Sequence, residues 1–142
     1  MQTAVIIIPT YNEAHDITQV IDSIQEEVKN IKNWKFSLLV IDSTSPDGTG
    51  KIVQDLQKKY SNLSLIKTKK EGLGRAYITG FTHAIEKMNA DLLFEMDADM
   101  SHDPAMLPEF IRKIDEGADF VLGSRYRKGG SIPHDWGIER KL

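Results

Sequence analysis

Two aspartates stand two residues apart in Glu95-Met96-Asp97-Ala98-Asp99. On an extended chain such residues face the same way, so both carboxylates project together. Like charges held side by side repel, and the pair needs a cation or hydrogen-bond donors to offset that repulsion. A divalent metal that also binds a diphosphate meets the need, because Mg²⁺ takes one or two carboxylates together with substrate phosphates. The plainer alternative is two solvated loop acids, with Asp103 capping a helix that begins at Pro104. Of the two, the metal reading is preferred.

Further candidates recur along the chain. Gly123-Ser124-Arg125-Tyr126-Arg127-Lys128 is a cationic cluster. Arginine suits bidentate phosphate binding, so Arg125 is the candidate for an anionic ligand, while Arg127 and Lys128 read as solvated charge. In Pro9-Thr10-Tyr11-Asn12-Glu13, Tyr11 could stack on a base and Glu13 could accept from sugar hydroxyls. The same residues also suit a turn and a helix start, Glu13 complementing the helix dipole. Asp42 is a candidate for a base edge or ribose hydroxyl. In the following Ser43-Thr44-Ser45-Pro46-Asp47-Gly48-Thr49, Asp47 or Thr49 reads as a helix cap. Lys70-Glu71-Gly72-Leu73-Gly74-Arg75 has the glycines of a phosphate loop without the spacing of the known fingerprints. The histidines at 15, 83, 102 and 134 lack metal-ligand spacing; His102, just past the acidic pair, packs, caps or supports a metal ligand.

These residues need elements to hold them. Val5-Ile6-Ile7-Ile8 is a continuous β-branched run, the mark of a strand buried on both faces of a parallel sheet. Pro9, lacking an N–H, is expected to end its ladder. Ile17, Val20, Ile21, Ile24 and Val28 recur at helical spacing. Strand-like runs at Phe36 to Ile41, Leu63 to Ile66, Leu92 to Phe94 and Phe120 to Leu122 alternate with three more helical patterns. These carry Ile52, Val53 and Leu56, then Ala76, Phe81, Ala84, Ile85 and Met88, then Met106, Leu107, Phe110, Ile111 and Ile114. The alternation predicts an α/β fold with a mostly parallel central sheet flanked by helices. Ligands in such sheets bind beyond the carboxyl ends of the strands, where every candidate above stands.

Composition excludes several classes. The 142 residues are 40% apolar and 27% charged, as in an ordinary globular domain, and carry 18 Lys and Arg against 21 Asp and Glu. A formal charge of −3 gives no basic surplus for nucleic acid. The absence of cysteine removes disulfides, Cys-zinc sites and thiolate catalysis. The N-terminus lacks the charge and apolar length of a signal peptide, and the run Ala4 to Ile8 is far too short to span a bilayer. Lys128-Gly129-Gly130-Ser131-Ile132-Pro133 has loop chemistry, and the end at Glu139-Arg140-Lys141-Leu142, without a helix-stop signal, suggests a longer chain.

Pro9-Thr10-Tyr11-Asn12-Glu13, Asp42 with Ser45-Pro46-Asp47-Gly48-Thr49, Gly72-Leu73-Gly74, Asp97-Ala98-Asp99 and Gly123-Ser124-Arg125-Tyr126 occur in one order, each beyond a strand. The set resembles glycosyltransferase family 2, and within it the polyprenyl-phosphate (dolichyl-phosphate) mannose synthases. The likeness runs from about Val5 to the end, where Lys128-Gly129-Gly130, Trp136 and Arg140 look like the acceptor region. The resemblance implies a GT-A, Rossmann-like domain over 1–127 that binds a nucleotide sugar, with 128–142 the start of a truncated acceptor region. It implies nucleoside contacts at Pro9, Tyr11, Glu13 and Asp42, with Val40 among the substrate-binding residues. Asp97, Ala98 and Asp99 would hold the nucleotide sugar; Asp97, Asp99 and Ser101 would hold Mg²⁺ or Mn²⁺, Asp99 nearest the metal. Arg125 would hold phosphate, and Arg140 the lipid phosphate. Catalysis would rest on Asp99, Arg125 and Arg140. This chain has Ser43 where many relatives carry a second acid, and Ser101 where several carry Gln.

The implied reaction is inverting transfer of mannose from GDP-mannose to a polyprenyl or dolichyl phosphate. Its nucleophile is already anionic, so no strong general base is needed, whereas a sugar hydroxyl would require a carboxylate base. Beyond Arg125 only the isolated Asp135 and Glu139 are acidic, which favours a phosphate acceptor. A soluble donor and a membrane-borne acceptor imply work at the cytoplasmic face of a membrane. Three alternatives stand beside this reading. One is a relative with another donor or acceptor, such as a polyprenyl-phosphate glucosyltransferase or a polysaccharide synthase. Another is a fragment that binds donor yet transfers nothing. The third, a phosphoacceptor receiver module, needs an Asp after the third strand and a Lys after the fifth, where this chain has Thr68-Lys69-Lys70 and Ser124-Arg125.

Overall fold

A computed structural model of the chain describes residues 1–101, 103–117, 120–121 and 138–139. Strand and helix alternate as β1 (Gln2–Thr10), α1 (Ile17–Val28), β2 (Trp34–Asp42), α2 (Thr49–Leu56), β3 (Leu63–Lys67), α3 (Leu73–Lys87) and β4 (Leu92–Glu95). A 3-10 turn (Pro104–Met106) then runs into α4 (Leu107–Asp115), followed by the two-residue strands β5 (Phe120–Val121) and β6 (Ile138–Glu139). The main sheet has the order β3-β2-β1-β4, and every pairing in it is parallel.

β1 lies inside this sheet, and its Val5 to Ile8 run has no solvent exposure on either face. On one face Ile6, Ile8, Leu38 and Val40 pack with Ile17, Ile21 and Ile24 of α1, Val53 of α2, and Leu107 and Ile111 of α4. On the other, Val5, Ile7, Leu39 and Ile41 meet Ala76 and Ala84 of α3. An apolar strand of period one and an amphipathic helix of period 3.6 are complementary surfaces, and burying both drives the layers together.

Two expectations change on contact with the fold. Pro9 does not end β1: the strand continues through it to Thr10, with Pro9 opposite Ile41 and Thr10 opposite Asp42. Its missing N–H acts on one side only. Ile7 accepts from the Met96 amide at 3.0 Å, so by two-residue alternation Pro9 also faces β4, and the β1–β4 register stops at Ile7 and Glu95. The proline thus closes one ladder and leaves the other intact. The strand at Phe120 does not extend the parallel sheet either: β5 pairs antiparallel with β6 in a separate two-stranded ladder. A short apolar run carries no information on its partner or direction, which is why the alternation misassigned it. Leu122 lies outside the described residues.

The seating of α3 depends on small side chains. A Cβ on Gly80 would fall 2.6 Å from Ile7 Cγ2 and 3.3 Å from Ile41 Cγ1. With Ala76 and Ala84 one turn away on either side, Gly80 lets the helix lie against β1 and β2. That contact fixes the height of the first turn of α3, which follows Gly72 at φ 95°, a left-handed conformation that favours glycine. Gly80→Ala is expected to destabilise the protein by about 1–3 kcal/mol, the usual result of forcing atoms into a filled core. Urea denaturation checks this, and an unchanged midpoint would contradict so close an approach.

Candidate functional site

The carboxyl ends of β1, β2 and β4 meet the first turn of α3 around an open cleft of about 320 Å³. Its walls are set by loops, and the first of these is braced by the second. After β1 the backbone turns through Asn12 at φ 58°, which leaves three successive amides pointing away from the ladder. All three are taken by side chains of the β2–α2 loop. Asn12 N–H donates to Ser45 Oγ at 2.9 Å, Glu13 N–H to Thr49 Oγ1 at 3.0 Å, and Ala14 N–H to Asp47 Oδ2 at 3.0 Å.

Each hydroxyl in this brace is itself committed to a carboxylate. Ser45 Oγ donates to Asp42 Oδ1 at 2.6 Å, and Thr49 Oγ1 donates to Asp47 Oδ1. A hydroxyl whose proton is engaged in this way presents its lone pairs to an amide, so the two carboxylates order the turn at one remove. Asp42 also accepts from the Thr10 hydroxyl at 2.7 Å and the Ser45 amide at 3.0 Å, and it is 1% exposed. Asp47 accepts from the Thr49 amide at 3.0 Å at the start of α2, as a cap would. The Thr49 hydroxyl, with the Ala14 and Thr49 amides, holds the Asp47 carboxyl below its ordinary value against the smaller effect of desolvation.

The acidic pair follows β4. Ser101 joins its members: the Ser101 amide donates to Asp99 Oδ1 at 3.0 Å, and its hydroxyl to Asp97 Oδ2 at 3.3 Å. Met100 between them is left-handed at φ 68°, and this bend turns Ser101 back onto both carboxylates. From α3, the Tyr77 hydroxyl donates to Asp97 Oδ1 at 3.4 Å. Asp103 accepts from the Ala105 amide at 2.9 Å and caps the 3-10 turn, as expected of it.

Pro9, Tyr11, Glu13, Asp97, Ala98 and Asp99 all line the cleft, so the motifs after β1 and β4 are brought together. Partial burial pushes the Glu13 carboxyl above its ordinary value, and the negative charges of Asp99, Asp16, Asp47 and Asp97 add to the rise. Opposite them Lys70 is the one cationic side chain among the described residues of the cleft, and its Nζ sits 4.5 Å from the centre of the Tyr11 ring. Three carboxylates facing one ammonium form an electronegative, all-oxygen site, the donor chemistry of hard cations such as Mg²⁺ and Mn²⁺. Among the described residues no three His, Asp or Glu side chains form a closed metal cage. A cation shared with a diphosphate needs only one or two carboxylates, so Asp97 and Asp99 fit it.

Val40 was expected among the substrate-binding residues. Its side chain has no exposure and packs in the core beneath the sheet, because residues two before a strand end still alternate into the layers. Asp42 spends its carboxylate on the brace, and the loop residue that lines the cleft is its neighbour Ser43. Arg125, Arg140 and His102 lie outside the described residues, as does most of 128–142. Sequence reasoning held Lys70 and Leu73 only as part of a weak phosphate-loop signal and passed over Tyr77 as a partner of Asp97. The glycines at 72 and 74 were the available signal for the first two; nothing local marked Tyr77.

Comparison with known proteins gives this arrangement a context. Residues 5–141 match the family described as glycosyl transferase family 2. The dolichol-phosphate mannosyltransferase of Pyrococcus furiosus is 36% identical over 96% of this chain and 37% of its own length. The undecaprenyl-phosphate mannosyltransferase of Micrococcus luteus is 37% identical over 96% of this chain and 53% of its own length. The chain therefore spans about half or less of these curated relatives. Among solved structures, the mannosyltransferase PcManGT of Pyrobaculum calidifontis, in complex with GDP-Man and Mn²⁺, aligns with a TM-score of 0.72 at 25% identity over 88% of this chain and 36% of its own. S. aureus TarS 1-349 aligns with a TM-score of 0.69 at 25% identity, over 94% and 38% of the two chains. The architecture is the GT-A fold.

Two outcomes follow from the geometry. Asp42→Ala leaves the buried Thr10 hydroxyl and the Ser45 amide without their acceptor, and is expected to cost about 1–3 kcal/mol for each group left unpaired. Chemical denaturation measures it, and a neutral result would remove Asp42 from the brace. Glu13 has the opposite sign. A carboxyl raised in the folded state is protonated in both states well below its ordinary 4.5 and costs nothing there, but destabilises the fold as pH rises through its folded value. Glu13→Gln should therefore melt above wild type at neutral pH, the gap closing below about pH 4. A variant that melts lower at neutral pH would contradict the repulsion.

Proposed function

The chain belongs to glycosyl transferase family 2, and from that premise we propose that it is the donor-binding part of an inverting enzyme that moves mannose from GDP-mannose to a polyprenyl or dolichyl phosphate. The observation that carries the reading is the acidic cleft, where Asp97 and Asp99 from one strand end meet Tyr11 and Glu13 from another. The mannose donor and polyprenyl-phosphate acceptor rest on the relatives, two of which are named for that transfer at 36% and 37% identity.

A divalent cation at Asp99 and Asp97, Mg²⁺ or Mn²⁺, would supply Lewis-acid stabilisation of the charge that grows on the leaving diphosphate. The chain's own residues do the rest. Tyr11 and Glu13, held by the brace, present a ring face and a carboxylate to the nucleoside. Lys70 brings a positive charge to the same wall, where it offsets phosphate. Arg125 and Arg140 are assigned to the two phosphate-bearing reactants, whose mutual repulsion must be overcome before they can meet. Because the attacking phosphate oxygen is already anionic, positioning replaces proton abstraction as the main task.

The acceptor sets the place of work, the cytoplasmic face of a membrane. Among the described residues no helix is long and apolar enough to cross a membrane.

Calorimetric titration with GDP-mannose, GDP and UDP-glucose, with and without Mg²⁺ or Mn²⁺, tests the reading. The guanosine ligands are expected to bind with metal, and Asp99→Ala to weaken them at least tenfold, about 1.4 kcal/mol. A preference for UDP-glucose would replace the donor, and a folded protein that binds no nucleotide would overturn the proposal.

A further inference from the structure

Among the described residues, the acidic pair is held both from its own loop and from α3. Ser101 reaches Asp97 Oδ2 from within the loop at 3.3 Å, while Tyr77 reaches Oδ1 from α3 at 3.4 Å. We propose that Tyr77 is a positioning residue for the metal–diphosphate site, its hydroxyl setting the orientation of the Asp97 carboxylate. The inference rests on Asp97 and Asp99 being the pair that takes the cation and the donor's diphosphate.

Two features give Tyr77 a defined position. Its ring stacks on Phe81, one turn along, with centroids 5.8 Å apart and planes 29° apart. The helix that carries it is seated on β1 and β2 through Gly80, so it cannot drift without moving the core.

Both hydroxyls are neutral. They restrict rotation of the carboxylate, one at each oxygen, so the two oxygens of Asp97 keep fixed directions. The Tyr77 bond is long, near the outer limit of hydrogen-bond geometry, and so contributes to direction more than to folding energy. Groups that orient a ligand carboxylate in this way commonly change metal affinity by roughly 10- to 100-fold when removed. The same helix begins at Gly72 and Leu73, which line the cleft, so one rigid element sets both a wall of the donor site and the direction of its acid.

Tyr77→Phe retains the ring and its stacking and removes only the hydroxyl. The test titrates GDP-mannose into wild type and Tyr77→Phe with Mn²⁺ and again with EDTA, follows Mn²⁺ by electron paramagnetic resonance, and records melting temperatures. The expected result is a loss of roughly tenfold in Mn²⁺-dependent affinity, with metal-free binding and melting temperature unchanged. In the Asp97→Asn background the same substitution should add no further loss. Equal weakening with and without Mn²⁺, or a lowered melting temperature that accounts for the loss, would make Tyr77 a scaffold residue and overturn the inference. So would unchanged Mn²⁺-dependent binding in the variant. If wild type itself shows no Mn²⁺-dependent binding, the reading of the acidic pair fails first and the inference falls with it.

Discussion

A buried carboxylate at the end of β2 is the constraint on which the site depends. Asp42 sits beside Thr10 in register at the last rung of the β1–β2 ladder, where the backbone of both strands must stop pairing and turn. By accepting from the Thr10 hydroxyl, the Ser45 hydroxyl and the Ser45 amide, it joins the strand ends to the loop that follows. The adjoining Asp47–Thr49 pair repeats the device one step outward. Without these acceptors the turn after β1 would present three amides with no ladder to join. Among the described residues no buried side-chain nitrogen or oxygen lacks a hydrogen-bond partner.

This brace explains why the Tyr11–Glu13 segment can face an electronegative cleft. Glu13 is held by its backbone, through Thr49, so partial burial first and like charges second raise its carboxyl pKa while the turn stays in place. A site that concentrates carboxylates on rigid supports has the donor chemistry of a hard cation. The supports come from both faces of the sheet: α2 and its loop hold the Tyr11–Glu13 side, while α3 holds the wall and one oxygen of Asp97. Family membership and the GT-A fold agree with this division, since ligands of open parallel sheets lie beyond the carboxyl ends of the strands.

The residue-by-residue expectations fared according to what kind of information each used. Those drawn from strand alternation or from short turns held for Asp97 and Asp99, which do face one cleft, and for the Asp103 cap. The Val40 side chain, two positions before the strand end, packs into the layers. Ser45, Asp47 and Thr49 were legible as a turn, but their partners Asn12, Glu13 and Ala14 lie 33, 36 and 33 residues away, and no local pattern connects them. Lys70 had glycine neighbours to mark it, whereas Tyr77 sits in a helix interior and is singled out only by what stands above it.

By itself the sequence determined the kinds of element, their order and which residues face the core, because periods of one, two and 3.6 are local consequences of backbone geometry. It also determined that two carboxylates would project together beyond a strand. The tertiary structure decided the rest. It chose β6 as the partner of β5, let Pro9 close one ladder while the other continued, and made Asp42 the anchor of a loop. The physical reason is the same in each case: a hydrogen bond is made with whatever donor or acceptor the packed layers bring within about 3 Å, and packing brings together residues that the sequence keeps dozens of positions apart.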